Sequence, residues 1–347
     1  MRRDEFMKMA RRRRLDQTLV SGEANVMALT GIRCDNAVVT KDAFYTDFRY
    51  LPMVRRFAPQ GLAARDIRSL AGAMPRRAGS RIGYEASVPH SRFLELKRLA
   101  PRATFVDISK DIAALRAVKT DGEIAAIRAA AALNCEIWNE ARVRFAPGMT
   151  ERDMARIIQT LMAERGDGEA FSTIVCVGAN AAECHHEPDG TVWNGREPVL
   201  VDMGVKLNGV CSDMTRNIVP PRARPIYRKV HDLVLRANRA AIAAARSGMT
   251  AKALDKVARD VIRAGGFGKC FGHSLGHGVG YEIHEAPTVS KRGDMVLREG
   301  MVFTIEPGVY LEGNLGVRIE DLVLLTGNGC EVLSGGDIPT LGNRLGR

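Results

Sequence analysis

The 347 residues carry a formal net charge of +11, with 46% hydrophobic and 26% charged residues, a balance ordinary for a globular chain with room for two cores. No stretch approaches the ~20 apolar residues of a membrane span, and the arginine-rich start lacks the apolar core and cleavage site of a signal peptide. Basic residues are dispersed apart from residues 11–14, and aromatics amount to 5%, which argues against a nucleic-acid surface. Seven scattered cysteines without a CxxC pair fit reduced thiols and a cytoplasmic location.

In chain order, the first ~115 residues read as a small α/β unit, with strands expected at 36–40 and 43–46 and helices at 11–20, 62–74 and 90–99. The character changes near residues 115–121. A long Ala-rich helix follows over 123–145, closed by Pro147-Gly148. Two domains are expected, 1–116 and 117–347. The second carries an internal repeat: GMTERDMARIIQTLMAERG at 148–166 and GMTAKALDKVARDVIRAGG at 248–266. In both, Thr is placed to cap a helix that Gly closes, and each copy precedes strand-like segments with two acidic residues. A duplicated α/β half around a shared cleft accounts for this pattern.

Those strand-like segments hold the chemistry. In residues 199–217, Asn208-Gly209 signals a type I′ hairpin, whose register pairs Asp202 with Thr215 and Gly204 with Asp213. Asp202 and Asp213 then share a face as diagonal neighbours. In residues 302–325, a turn at Gly313 sets Glu306 opposite Glu320. Facing carboxylates repel and raise each other's pKa, and a bound cation removes the conflict; Arg318 on the same face offers partial neutralisation. Five of the seven histidines, His185, His186, His273, His277 and His284, fall between or beside these strands. Asp202, Asp213, His277, Glu306 and Glu320 together form a ligand set for two divalent cations, and so predict a hydrolase.

The motifs VDMG (201–204), CSDMT (211–215), GHSLGHGVGYEIHEAP (272–287), FTIEPGVY (303–310) and GVRIED (316–321) occur in an order that resembles the creatinase/prolidase/methionine-aminopeptidase superfamily of pita-bread metallopeptidases. The likeness is to its Xaa-Pro peptidase branch, over about residues 119–333. The stretches LDQTLVSGEANVMALTG and YTDFRY resemble the creatinase-type N-terminal domain. The implied fold class is α/β (α+β), a small creatinase-type domain followed by a duplicated pita-bread catalytic domain.

The resemblance implies that Asp202 binds one metal, Asp213 and Glu320 bridge both, and His277 and Glu306 complete the other. Manganese or cobalt is most usual for the branch, with zinc or iron also admitted. It further implies an exopeptidase that cleaves Xaa-Pro bonds in dipeptides or longer peptides by attack of a hydroxide bridging the metals. His185 and His284 handle substrate, Glu306 shuttles the proton, His273 is a further active-site histidine, and Arg318 recognises a substrate carboxylate or carbonyl. Relatives usually form dimers, so a homodimer is expected. Val210 and His186 stand where relatives often carry other residues, which leaves substrate preference open. Two other readings are a methionine-aminopeptidase-like enzyme, which lacks such an N-terminal domain, and a non-catalytic binding relative, which typically loses metal carboxylates.

Overall fold

The computed structural model describes residues 2–335, so the end of the expected second domain, 336–347, lies outside the described residues. The chain divides into two compact units, the first ending at Arg116 and the second starting at Ala117.

The first unit runs α1 (Arg2–Arg12), β1 (Gln17–Leu19), α2 (Glu23–Thr30), β2 (Ala37–Val39), β3 (Ala43–Thr46), α3 (Leu51–Phe57), β4 (Ala63–Asp66), β5 (Arg81–Tyr84), α4 (His90–Leu99), β6 (Thr104–Asp107) and α5 (Ser109–Ala117). It holds two three-stranded sheets, ordered β1-β5-β6 and β2-β3-β4, and its helices cover a core around Phe6, Met9, Val26, Phe44 and Ile108.

Two expected helices are corrected. Within 11–20 the helix ends at Arg12, Arg14 turns through φ 54°, and Gln17–Leu19 is a strand parallel to β5. All three of its residues are buried, so a strand covered on both faces shows no alternation in sequence. Within 62–74, residues 63–66 are a strand parallel to β3. The Asp66 side chain then accepts from the Arg68 N–H and starts a 3-10 helix over Ile67–Ala73.

The second unit begins with α6 (Asp121–Arg144) and α7 (Glu151–Arg165), followed by β7 (Ile174–Val177), β8 (Val199–Met203), β9 (Lys206–Leu207), β10 (Val210–Cys211) and β11 (Met214–Ile218). Then come α8 (Pro225–Ala244), α9 (Ala251–Ala264), β12 (Gly276–Gly278), β13 (Glu285–Val289), β14 (Val302–Ile305), β15 (Gly308–Leu311), β16 (Leu315–Arg318), β17 (Asp321–Thr326) and β18 (Gly329–Val332). The sheets are β11-β8-β7, the β10-β9 and β15-β16 ribbons, and β13-β12-β14-β17-β18.

The duplication is visible bond by bond. Thr150 caps α7 with a full capping box through Asp153, and Thr250 caps α9. The amides of Gly148, Glu151 and Arg152 donate to Trp193, Thr191 and Asp189. In the second copy those of Gly248, Ala251 and Lys252 donate to Leu297, Met295 and Gly293. Each long helix also sends one asparagine to a strand: Asn134 donates to the Met203 carbonyl and Asn238 to the Ile305 carbonyl, both at 3.0 Å. Each of those carbonyls is next in sequence to a carboxylate expected at the site, Asp202 or Glu306.

Candidate metal centre

The hairpins take the expected register. Asn208 and Gly209 have φ of 52° and 78°, the left-handed pair a type I′ turn requires, and Asp202 pairs with Thr215. Glycine is required at 204, because a Cβ there would lie 2.3 Å from the Ser212 carbonyl oxygen and 2.6 Å from the Phe171 ring. In the second hairpin, Ile305 pairs with Asp321 and Gly308 with Arg318, a register that sets Glu306 against Glu320. The strands part at that point. Glu306 N–H donates to the Leu275 carbonyl and Glu320 N–H to that of Thr215.

These segments line a cavity of ≈ 620 Å³ that contains Asp202, Asp213, His277, Glu306 and Glu320, together with His185, His186, His273, His284 and Arg318. Ligand atoms of Asp213, His277 and Glu320 all lie within 4.8 Å of one another, close enough to converge on one ion. His277 Nε2 is 3.6 Å from Asp213 Oδ2 and 3.4 Å from Glu306 Oε1. Its Nδ1 lies 3.2 Å from the Gly278 carbonyl oxygen, so the ring proton belongs on Nδ1 and the Nε2 lone pair faces the carboxylates. Burial, reinforced by His284, pushes the ring down to about 4, which keeps it neutral near pH 7.

Four carboxylates face a single guanidinium. Arg318 NH2 donates to Asp202 Oδ2 at 2.6 Å, its Nε to Thr215 Oγ1 and its NH1 to the Tyr310 hydroxyl; the side chain is 4% exposed. It therefore lines the cavity with its donors turned to protein partners. Burial and mutual repulsion raise Asp213, Glu306 and Glu320 well above the usual carboxylate range. Asp202 Oδ1 is buried with no hydrogen-bond partner among the described residues. An orphaned carboxylate oxygen, a bare imidazole nitrogen and uncompensated negative charge are together the donor set that divalent cations fit.

Residues the sequence reading passed over complete the site. Thr215 donates to Glu320 Oε2 at 2.6 Å, and Thr304 to Glu306 Oε1 at 3.1 Å. Thr304 on β14 lies two residues before Glu306, just past the strand's end, so period two could have flagged it. His273 Nδ1 faces the Ser274 carbonyl, so its Nε2 accepts from the Tyr310 hydroxyl at 2.9 Å. His185 and His284 are exposed at the cavity, and the His284 ring centroid lies 4.2 Å from that of His277. Phe171, Ile174 and Ile283 supply apolar lining.

Residues 125–327 match the description "Metallopeptidase family M24", and residues 2–118 match "Creatinase/Prolidase N-terminal domain". The chain belongs to metallopeptidase family M24. A Xaa-Pro dipeptidase of Pyrococcus horikoshii is 38% identical over 258 residues, 73% of this chain and 72% of that protein. An uncharacterized peptidase of Bacillus subtilis, YqhT, is 31% identical over 325 residues, 91% of this chain and 92% of that protein. Among solved structures, the prolidase of Pyrococcus horikoshii OT3 superposes with a TM-score of 0.91 at 30% identity, covering 98% of this chain and 99% of that one. The X-Pro aminopeptidase of Thermotoga maritima MSB8 gives 0.86 at 30% identity, with coverage of 98% and 99%. The fold is a creatinase-type N-terminal domain plus a duplicated pita-bread domain, as the motifs implied. Among the described residues, no helix is long and apolar enough to cross a membrane.

Proposed function

We propose that this chain is an exopeptidase that cleaves the Xaa-Pro bond at the N-terminus of dipeptides or peptides with the help of two divalent cations. The observation that carries the reading is the convergence of Asp202, Asp213, His277, Glu306 and Glu320 on one cavity, where Arg318 is the only arginine or lysine among the described lining residues. The relatives named Xaa-Pro dipeptidase and X-Pro aminopeptidase supply the substrate class.

In this reading Asp202 would hold one cation and His277 and Glu306 the other, with Asp213 and Glu320 in the same ligand set; cations bound there would lower the pKa of water and polarise the scissile carbonyl. Glu306 moves the proton from the attacking water to the departing proline nitrogen. His185 and His284, exposed at the cavity, donate to the substrate carbonyl and stabilise the negative charge that develops on it. Tyr310 and His273 steady Arg318, which in turn orients Asp202; Arg318 bears on substrate through that chain. Phe171, Ile174 and Ile283 offer the prolyl ring an apolar wall. A homodimer is part of this reading and is checked by sedimentation.

The test is a panel of Xaa-Pro dipeptides, Xaa-Pro-Yaa peptides and Met-Ala-Yaa controls, assayed with manganese, cobalt or zinc. Turnover of the prolyl substrates with manganese or cobalt is expected, and cleavage of the methionine controls alone would overturn the assignment. Glu320→Ala should abolish turnover with the fold retained. Near-wild-type rates in that variant, at verified metal content, would refute the two-metal reading.

A further inference from the structure

His185 is exposed and makes no hydrogen bond among the described residues, so its place depends on the backbone that carries it. That backbone, residues 177–189, is tied to one buried side chain. Glu151, the first residue of α7, is fully buried. Its Oε1 accepts from the Val177 N–H at 2.7 Å and from the Asn180 amide at 2.9 Å. Its Oε2 accepts from His186 Nε2 at 2.7 Å and from the Asp189 N–H at 3.0 Å. One carboxylate thus fastens the segment at four points, and its position in the first turn of a helix favours the charge.

The Glu151, His186 and Asp189 ligand atoms lie close enough together for an ion. Both Glu151 oxygens are already doubly hydrogen-bonded, however, and Asp189 Oδ1 accepts from the Thr191 N–H, so the trio is satisfied as a set of hydrogen bonds. His186 must carry a proton on Nε2, because a carboxylate only accepts. Burial opposes charging the ring, but its hydrogen bonds to Glu151 and Glu183 outweigh that and raise it above its ordinary value. The second repeat has Ala251 at the position of Glu151, so this fastening is not a by-product of the duplicated fold.

We propose that Glu151 and His186 are positioning residues that hold the 177–189 segment so that His185 stands at the cavity, an inference that rests on the peptidase reading above. Glu151 acts through four hydrogen bonds, and His186 acts from beside His185 itself.

The experiment combines a double-mutant cycle with hydrogen exchange. His186→Ala should lower kcat/KM for a Xaa-Pro dipeptide by about 10–100-fold, the order expected when a reacting group is displaced by about 1 Å. His186→Gln, which keeps a donor toward Glu151, should restore most of it. In the His185→Ala background, adding His186→Ala should cost nothing further, because the effect passes through His185. A loss that multiplies with that of His185→Ala, or no rescue by glutamine, would overturn the proposal. Independently of turnover, the amides of Val177 and Asp189 in the metal-free protein should exchange at least about tenfold faster in His186→Ala, with α6 and β8 unchanged; unchanged exchange there would also overturn it. Wild-type protein that cleaves no prolyl substrate would refute the peptidase reading instead, and the exchange measurement would still decide the clamp.

Discussion

His231 on α8 sits 1% exposed with neither ring nitrogen hydrogen-bonded among the described residues, stacked against Tyr227. Burial lowers its pKa below the ordinary 6.5, against a small opposing effect of Asp232. The unfolded chain therefore binds this proton at a higher pH than the folded one, and stability falls as pH drops below about 6.5. His231→Leu removes that proton-linked loss. Thermal unfolding from pH 7.5 to 5 should then show a shallower decline in Tm for the variant than for wild type. Parallel declines would mean that His231 takes up its proton equally well in the folded and unfolded chain, and would overturn the prediction. The same residue-scale logic governs Asp202, whose Oδ1 has no partner among the described residues: a buried polar atom without one marks where a ligand is needed.

At the scale of elements, each repeat braces its carboxylate strands from behind. Asn134 of α6 holds the Met203 carbonyl, and Asn238 of α8 holds the carbonyls of Ile305 and Ile319. Each Asn→Ala change removes a buried side-chain hydrogen bond to a strand carbonyl and should cost about 0.5–1.5 kcal/mol in urea unfolding. The pair should act additively, since they brace different strands; a strongly non-additive double mutant would mean that the two braces share one load.

The hairpins that carry Asp202, Asp213, Glu306 and Glu320 were legible in sequence because short turns, two residues at Asn208-Gly209 and three around Gly313, and a period of two fix register without tertiary information. The helix at 123–145 was legible for the same kind of local reason, an Ala-rich run closed by Pro147-Gly148; the structure starts it at Asp121 behind a Thr120–Glu123 capping box. Residues 17–19 and 63–66 were not, because their strands gain partners from distant β5 and β3 and their burial erases the alternation. The roles of Tyr310 and Glu151 were likewise hidden. Tyr310 meets Arg318 across a ribbon, and Glu151 meets residues 26 to 38 positions away, contacts that only the fold brings together.

For the whole molecule, four clustered carboxylates against one arginine lead us to expect a native state stabilised by cations. Dialysis against a chelator should abolish turnover and lower Tm. Restoring metal at about a hundred times its dissociation constant should return about 2.7 kcal/mol, or roughly 5–10 °C for a unit of this size. A Tm indifferent to metal would show that the carboxylates are protonated and reconciled without it.

Glu320 N–H donates to the carbonyl of Thr215, so the last carboxylate of the second repeat is sewn to the strand of the first. Asp202 and Asp213 belong to one repeat; His277, Glu306 and Glu320 belong to the other. Neither repeat holds all five of these residues. Between them, Pro221 and Arg222 are exposed ahead of α8, where a break should be tolerated. A gene cut after Pro221 should yield two polypeptides inert when made apart, and a reconstituted enzyme when made together. In that sense the centre behaves as the interface of a heterodimer that a short peptide happens to join.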